Sequence, residues 1–121
     1  MGLPAGRLPD WPERLAALIT TAEHRPFDRV RWNCGRFAMA AVVACTGRRP
    51  SWVHRQTLAA MADTAGFPRV PVPFARAGDV VLAADPDRLG VVLDAGRAAF
   101  VGHAGLLRLP ITACTTAWRV G

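Results

Sequence analysis

The stretch RWNCGRF, residues 31–37, decides the fold, because it places a cysteine directly before a long run of small apolar residues. Apolar side chains recur there at helical spacing, which predicts a helix from Cys34 to Cys45 that ends at Thr46-Gly47. The many alanines of this run would let the helix approach a sheet closely. We therefore expect a buried helix with Cys34 in its first turn.

Cys34 has two interpretations at this position. Unpaired backbone N–H groups and the positive end of the helix dipole both favour a thiolate at a helix N-terminus, and the same N–H groups can line an oxyanion hole. Cys34 is then a nucleophile; in the alternative it is an inert side chain buried at a helix start. Cys45 and Cys114 lack such a setting, and we interpret both as small hydrophobic residues.

The composition indicates a folded protein. Of the 121 residues, 51% are hydrophobic and 20% are charged, which predicts one globular domain. No apolar run approaches the ~20 residues of a membrane span, and residues 1–10 lack the apolar core of a secretory signal. We expect synthesis in a bacterial cytoplasm without a signal peptide, and no membrane as partner. The three cysteines lack zinc-ligand spacing, so we expect neither a metal nor another cofactor.

Arginine supplies all fifteen Lys-or-Arg positions, and the net charge is +6. With abundant alanine, glycine and proline, this bias indicates a GC-rich bacterial or phage genome. The charge would suit a polyanion, but the arginines are scattered, and only Arg48 and Arg49 are adjacent. We therefore do not expect nucleic acid as a partner, and interpret the charge as a solvated surface.

The first half of the chain is predicted to be helical. Asp10 and Glu13 form a capping-box pattern at the start of a first helix, and a third helix is expected from Ser51 or His54 to Ala65. Within a single domain, we assign the N-terminal helix to residues 1–26, the cysteine helix and the next helix to 27–66, a proline-rich linker to 67–75 and an antiparallel sheet to 76–121.

The second half is predicted to be β-structure. Prolines keep residues 67–75 extended, and the segments 85–87 and 94–97 carry turn signals. Asp79 is expected to bind local backbone at a strand entry. Helices followed by strands predict an α+β fold in which the helices pack on an antiparallel β-meander or half-barrel. The expected strands cover residues 80–83, 90–93, 98–101, 106–109 and 117–120.

Three motifs follow one another along the chain: WNCGRFAMAAV (32–42), ARAGDVVLA (75–83) and LGVVLDAGRAAFVG (89–102). In this order they resemble the NlpC/P60 superfamily of papain-like cysteine peptidases, in which an aromatic-x-Cys-Gly/Ser-x-Phe motif opens the nucleophile helix. The pattern GL (105–106), LP (109–110) and AWRV (117–120) is similar in particular to small phage and prophage tail-associated proteins of a DUF6950-like family. The resemblance covers roughly residues 27–120.

The resemblance implies a Cys–His pair with a third polar residue that cleaves amide bonds of peptidoglycan stem peptides. Cys34 matches the nucleophile, but aligning the base-bearing strand on Gly90 puts Arg88 at the position of the base. Gly102 falls on the third position, and His103 one place beyond would reach the site only through a bulge or turn. Because a guanidinium keeps its proton, Arg88 is no replacement, and a general acid–base contribution of ~10²–10⁴ in rate is lost.

Three functions follow as hypotheses. The first is a structural or assembly component of a phage or prophage tail, located in the virion tail and bound to other proteins of the tail tip, hub or distal tail. The second is an active peptidoglycan endopeptidase or amidase with Cys34 and His103 as catalytic residues; the third is an intracellular papain-like binding or toxin-related module. For the first, an exposed apolar patch of Trp32, Trp52 and the proline-rich linker would contact the partner.

Overall fold

The computed structural model describes residues 6–94 and 96–121. Outside this part lie residue 95 of the predicted turn and residues 1–5, where the segment examined for a secretory signal begins. No helix in the described ranges is both long and apolar enough to cross a membrane. The first half forms α1 (Trp11–Ala22), α2 (Cys34–Thr46) and α3 (Leu58–Asp63).

The second half forms one sheet. Its strands are β1 (Arg69–Val70), β2 (Val80–Ala83), β3 (Arg88–Val92), β4 (Arg97–Gly102), β5 (Gly105–Pro110) and β6 (Cys114–Trp118). The order across the sheet is β1-β6-β2-β3-β4-β5, and each neighbouring pair is antiparallel. β2 to β5 therefore form a meander, and β6 returns to lie between β1 and β2. The α+β prediction is confirmed, whereas the half-barrel curvature stays a prediction.

Helix α2 packs on one face of the sheet, as its sequence predicts. Phe37 and Val42 of α2 join Leu89 and Val91 of β3 and Trp118 of β6 in one buried apolar cluster. The opposite face holds a second buried cluster drawn from β2, β3, β4 and β6. Because both faces are covered, all four residues of β2 are buried, and that strand is a continuous apolar run rather than an alternating one.

The sequence predicts the end of α2 correctly but not the capping at the start of α1. Gly47 ends α2 in the left-handed conformation with φ of 75°, as expected for the residue after a helix. Asp10 precedes α1 but makes no side-chain capping bond, so the capping-box prediction is wrong. Its carboxylate instead accepts two hydrogen bonds, at 2.9 and 3.0 Å, from Nε of Arg14 one turn along the helix.

The third helix is shorter than predicted. It begins at Leu58 rather than at Ser51 or His54, because the Thr57 hydroxyl accepts a hydrogen bond of 3.1 Å from the backbone N–H of Ala60. A threonine in extended conformation at this position is an N-cap, and it fixes the helix start one residue later.

The proline-rich linker is structured rather than simply extended. β1 lies within it and pairs with β6, and Val72–Phe74 forms one 3-10 turn. Pro73 fits this turn because the first N–H groups of a helical segment need no intrahelical partner. The linker therefore adds an edge strand to the sheet.

The expected patch around Trp32 is not an exposed surface. Trp32 is only 6% exposed, and its ring meets that of Phe37 edge-on with 5.8 Å between centroids. The guanidinium carbon of Arg25 lies 4.3 Å from the Trp32 ring centroid and covers it. Trp52 is half-buried, and the linker contributes Phe74, which is 69% exposed. Trp32 belongs to the core because α2 carries Phe37 against it.

Asp63 makes stability depend on acid pH. Its carboxylate accepts hydrogen bonds from Arg69 and from Nε1 of Trp118, and the Arg69 bond is the main cause of its lowered pKa. The ionised Asp63 carboxylate stabilises the fold fully at pH values above its ordinary pKa of 3.8. This stabilisation is lost as the pH falls through the lower pKa that Asp63 has in the folded state. We expect urea midpoints to fall below about pH 4, and Asp63→Asn to flatten that fall. The exposed Asp87→Asn should leave it unchanged; equal curves for all three proteins would contradict this expectation.

Candidate functional site

Asn33 and Cys34 together form the start of α2. Asn33 has extended backbone, with φ of −135° and ψ of 179°, and its side-chain oxygen accepts a hydrogen bond of 3.0 Å from the backbone N–H of Arg36. Its amide nitrogen donates to the carbonyl of Arg29 at 3.1 Å. Asn33 is therefore the N-cap, and Cys34 is the first helical residue, as the sequence predicts. The Cys34 side chain is partly exposed.

Asp28 fixes the loop that leads into this helix. Its carboxylate accepts hydrogen bonds of 2.9 Å from the backbone N–H groups of Val30 and Arg31, and its backbone pairs with that of Trp32. These bonds, that of Arg31 first, lower the pKa of the Asp28 carboxyl. This hydrogen-bonded loop holds Asn33 at the N-cap position of α2.

A groove of about 340 Å³ opens beside Cys34, and we name it the thiol groove. The four residues that the family pattern singled out, Cys34, Arg88, Gly102 and His103, all line it. They come from three separate parts of the chain, so the fold brings together residues that are far apart in sequence. The remaining walls are formed by Phe27, Asn33, Pro86, Asp87 and Val101.

Strand pairing brings Arg88 and Gly102 to the same end of the sheet. Arg88 is the first residue of β3 and Gly102 the last of β4, and these two strands are antiparallel neighbours. The start of one strand therefore lies beside the end of the other. The start of α2 lies at this end, because Asn33 and Cys34 line the same groove as Arg88 and Gly102.

His103 enters the groove from a turn rather than from a strand. Gly102 and Gly105 pair across the two residues His103 and Ala104, which form the turn between β4 and β5. Gly105 has φ of 129°, and a Cβ there would overlap the carbonyl oxygen of Glu23. Because His103 lies beyond the strand, the alternation of strand side chains does not turn it away from Cys34.

The groove holds a thiol, a guanidinium and an imidazole that are not joined to one another. No hydrogen bond links Cys34 to His103 or to Arg88 among the residues that the structure describes. Arg88 keeps its proton, so it gives the groove a fixed positive charge and cannot act as a base. His103 is the one imidazole in the groove's described lining, which also includes the exposed carboxylate of Asp87, so these two groups are the candidate acceptors for a proton from the Cys34 thiol.

The three cysteines should differ in reactivity. Burial raises the pKa of Cys45 and of Cys114, and both side chains are nearly inaccessible, whereas Cys34 is partly exposed. We expect iodoacetamide at pH 7 to modify Cys34 at least about tenfold faster than the other two. Peptide mass spectrometry over time measures the three rates, with the urea-unfolded protein as control. Fast modification of Cys45 or Cys114 in the folded protein would contradict this order.

The sequence does not predict the capping role of Asn33 at the site, nor the long-range contacts of Asp79 at the other end of the sheet. Asn33 was not recognised as the cap, although an asparagine directly before an apolar helix is a known N-terminal signal. Asp79 was expected to bind local backbone, and it does accept a bond of 3.0 Å from the N–H of Arg76. It also binds Arg7 and Arg119, and no local pattern points to those distant partners.

The comparisons with known proteins place the chain in one family. Residues 6–120 match the family described as "Domain of unknown function (DUF6950)". None of the curated proteins compared with the chain matches it. The match spans both the helices and the whole sheet, and it therefore includes every residue of the thiol groove.

Proposed function

The chain belongs to the DUF6950 family, and we propose that it is a structural or assembly component of a phage or prophage tail, near the tail tip. We propose further that its fold is NlpC/P60-like and that its papain-type site is degenerate. In this proposal the nucleophile position is kept as Cys34, and the position of the base is taken by Arg88.

The observation that carries this proposal is that Arg88 lines the thiol groove together with Cys34. The alignment of motifs put Arg88 where the resembling peptidases have their base, and the groove is where such a base would work. A guanidinium cannot accept the thiol proton or return one to a leaving amine. Arg88 at this position therefore supports a papain-type scaffold that does not catalyse peptide cleavage.

The C-terminal pattern shared with tail-associated proteins supports a role that depends on the fold. Trp118 is 1% exposed and donates from Nε1 to Asp63 at 2.8 Å, and Val120 donates its backbone N–H to the buried Asp79 at 2.9 Å. Gly105 makes the tight approach to Glu23. These residues act in packing and strand pairing, and none of them lines the thiol groove. A pattern made of such residues supports the fold rather than a catalytic reaction.

A genetic experiment tests the proposed role. In a phage or prophage that encodes the chain, we expect deletion of its gene to stop tail assembly, whereas Cys34→Ala leaves assembly and infectivity unchanged. Electron microscopy of lysates and plaque counts give the two readouts. A Cys34→Ala phage that assembles tails but infects poorly would contradict the proposal, and so would normal tails after the deletion.

A second function is favoured by one specific observation, the entry of His103 into the thiol groove. If the turn lets His103 reach Cys34, the pair would form a cysteine endopeptidase or amidase for peptidoglycan, with backbone N–H groups at the start of α2 as the oxyanion hole. Release of soluble fragments from purified sacculi would then require both Cys34 and His103. Equal release by wild type and by Cys34→Ala excludes this function.

A further inference from the structure

A second groove, about 650 Å³ in volume, adjoins the thiol groove. The two share Asn33 as a lining residue, so they lie on either side of the start of α2. Its walls come from the loop before α2, the outer face of α2, the segment after Gly47 and α3. We name it the arginine groove, after the residues that decide its chemistry: Arg25, Arg31, Arg36, Arg49, Trp52 and Met61.

The charge of the residues that line this groove is positive. Four arginines line it, whereas its described lining includes no aspartate or glutamate. None of the four belongs to an ion pair within the described ranges, and the acids that pair there take their partners elsewhere, as Glu23 does with Arg108. Asp28 interacts electrostatically with Arg25 from outside this lining, but an anionic ligand would still meet four guanidinium groups that make no direct ion pair within the described ranges.

Two of the guanidinium groups are held in place before any ligand binds. Arg25 lies over the Trp32 ring, with its guanidinium carbon 4.3 Å from the centroid. Arg36 donates from Nε to the carbonyl of Val30 at 2.7 Å, which leaves its terminal N–H groups available. A guanidinium that is already positioned loses less side-chain entropy when it binds a carboxylate.

The floor of the arginine groove is apolar. Met39, Ala40 and Val43 of α2 form it together with Met61 of α3 and Trp52. Methionine side chains adapt to different apolar shapes, so this floor would accept an aliphatic or aromatic side chain. A volume of about 650 Å³ is that of a ligand pocket for a few side chains rather than of an extended channel.

We propose that the arginine groove binds an acidic segment of a partner protein, whose carboxylates contact the arginines and whose apolar side chain fills the methionine floor. A nucleic acid fits less well, because a phosphate backbone needs a track of positive charge, whereas these arginines surround a single concavity with an apolar floor. The proposal rests on the assembly role for its biological setting, but the binding itself depends only on the groove.

Fluorescence anisotropy with a labelled peptide tests the binding. The probe is a 12-residue peptide of glutamate and aspartate with two central leucines; the matched peptide has glutamine and asparagine in place of the acids. We expect the acidic peptide to bind, the neutral peptide to bind at least about tenfold more weakly, and the double variant Arg31→Glu with Arg49→Glu to lose about tenfold or more in affinity. Met61→Ala should weaken binding of the leucine peptide and leave an alanine version unaffected.

The control is the double variant Arg55→Glu with Arg76→Glu, which makes the same charge change at exposed positions outside the groove. Circular dichroism and urea midpoints check that all variants fold. Equal weakening by the control variant, or equal binding of the neutral peptide, would overturn the proposal. So would tighter binding of a 12-nucleotide oligothymidylate that depends on Arg31 and Arg49. Because the assay contains no phage, its failure is independent of the tail-assembly experiment.

Discussion

Replacing Asp79 with alanine is expected to lower the free energy of unfolding by about 3–5 kcal/mol. The Asp79 side chain is fully buried, and its carboxylate accepts hydrogen bonds from Arg7 at 2.9 Å and from Arg119 at 3.1 Å. It also accepts bonds from the backbone N–H groups of Arg76 and Val120. Arg7 is only 7% exposed, so removing the carboxylate would leave a buried cation without its counter-charge.

Urea denaturation at pH 7 measures this loss, provided that the slope of the transition is unchanged. The matched control is Asp87→Ala, which removes an exposed carboxylate that makes no hydrogen bond within the described part of the chain. We expect the control to change stability by less than about 0.5 kcal/mol. A loss for Asp79→Ala as small as that of the control would show that the buried cluster does not stabilise the fold.

The Phe37→Ala variant should lose a similar amount, about 3–5 kcal/mol. Phe37 is 0% exposed and lies one helical turn after Cys34, where it packs edge-on against Trp32 and joins the cluster between α2 and the sheet. Truncation removes the transfer energy of the ring and leaves a cavity that a closely packed helix cannot fill. Because Phe37 fixes α2 on the sheet, its loss should also raise the alkylation rate of the buried Cys45.

Phe74→Ala is the control for this variant. Phe74 is 69% exposed, so its truncation removes little buried surface and should cost under about 1 kcal/mol. Urea midpoints give the stabilities, and peptide mass spectrometry gives the Cys45 rate. Equal losses for Phe37→Ala and Phe74→Ala would contradict the assignment of α2 to the core.

Helix α2 could be predicted because several local signals coincide there. An apolar face at helical spacing, small residues throughout and Gly47 after the end specify the helix without help from the rest of the chain. The first and third helices have weaker signals. Asp10 pairs with Arg14 instead of capping, and Thr57 sets a start that neither Ser51 nor His54 marks.

Long-range pairing explains most of what the sequence did not predict. Arg7 and Asp79 are 72 residues apart, and no periodicity connects them. β6 begins at Cys114 rather than at residue 117, because it pairs with β2 as far as Ala83, across a register shift after Leu82. A strand that is held by a distant neighbour has a boundary that its own residues do not specify.

The residues that line the two grooves also could not be brought together from local sequence signals alone. The arginines that surround the second groove are scattered in sequence, and they meet because the loop before α2 and the segment after it fold back beside the helix. In the thiol groove, strand alternation alone predicts that His103 points away from Cys34. The turn after Gly102 removes that constraint and lets His103 line the groove.

The pH dependence of Cys34 alkylation, compared between wild type and His103→Ala, tests the degenerate site most directly. If no imidazole assists the thiol, the two proteins should give the same rate profile between pH 5 and 9 within about twofold, with a single rise as the thiol ionises. A wild-type protein that reacts rapidly near neutral pH, and loses that rapid reaction in His103→Ala, would contradict the account. It would show that Cys34 and His103 work as a pair.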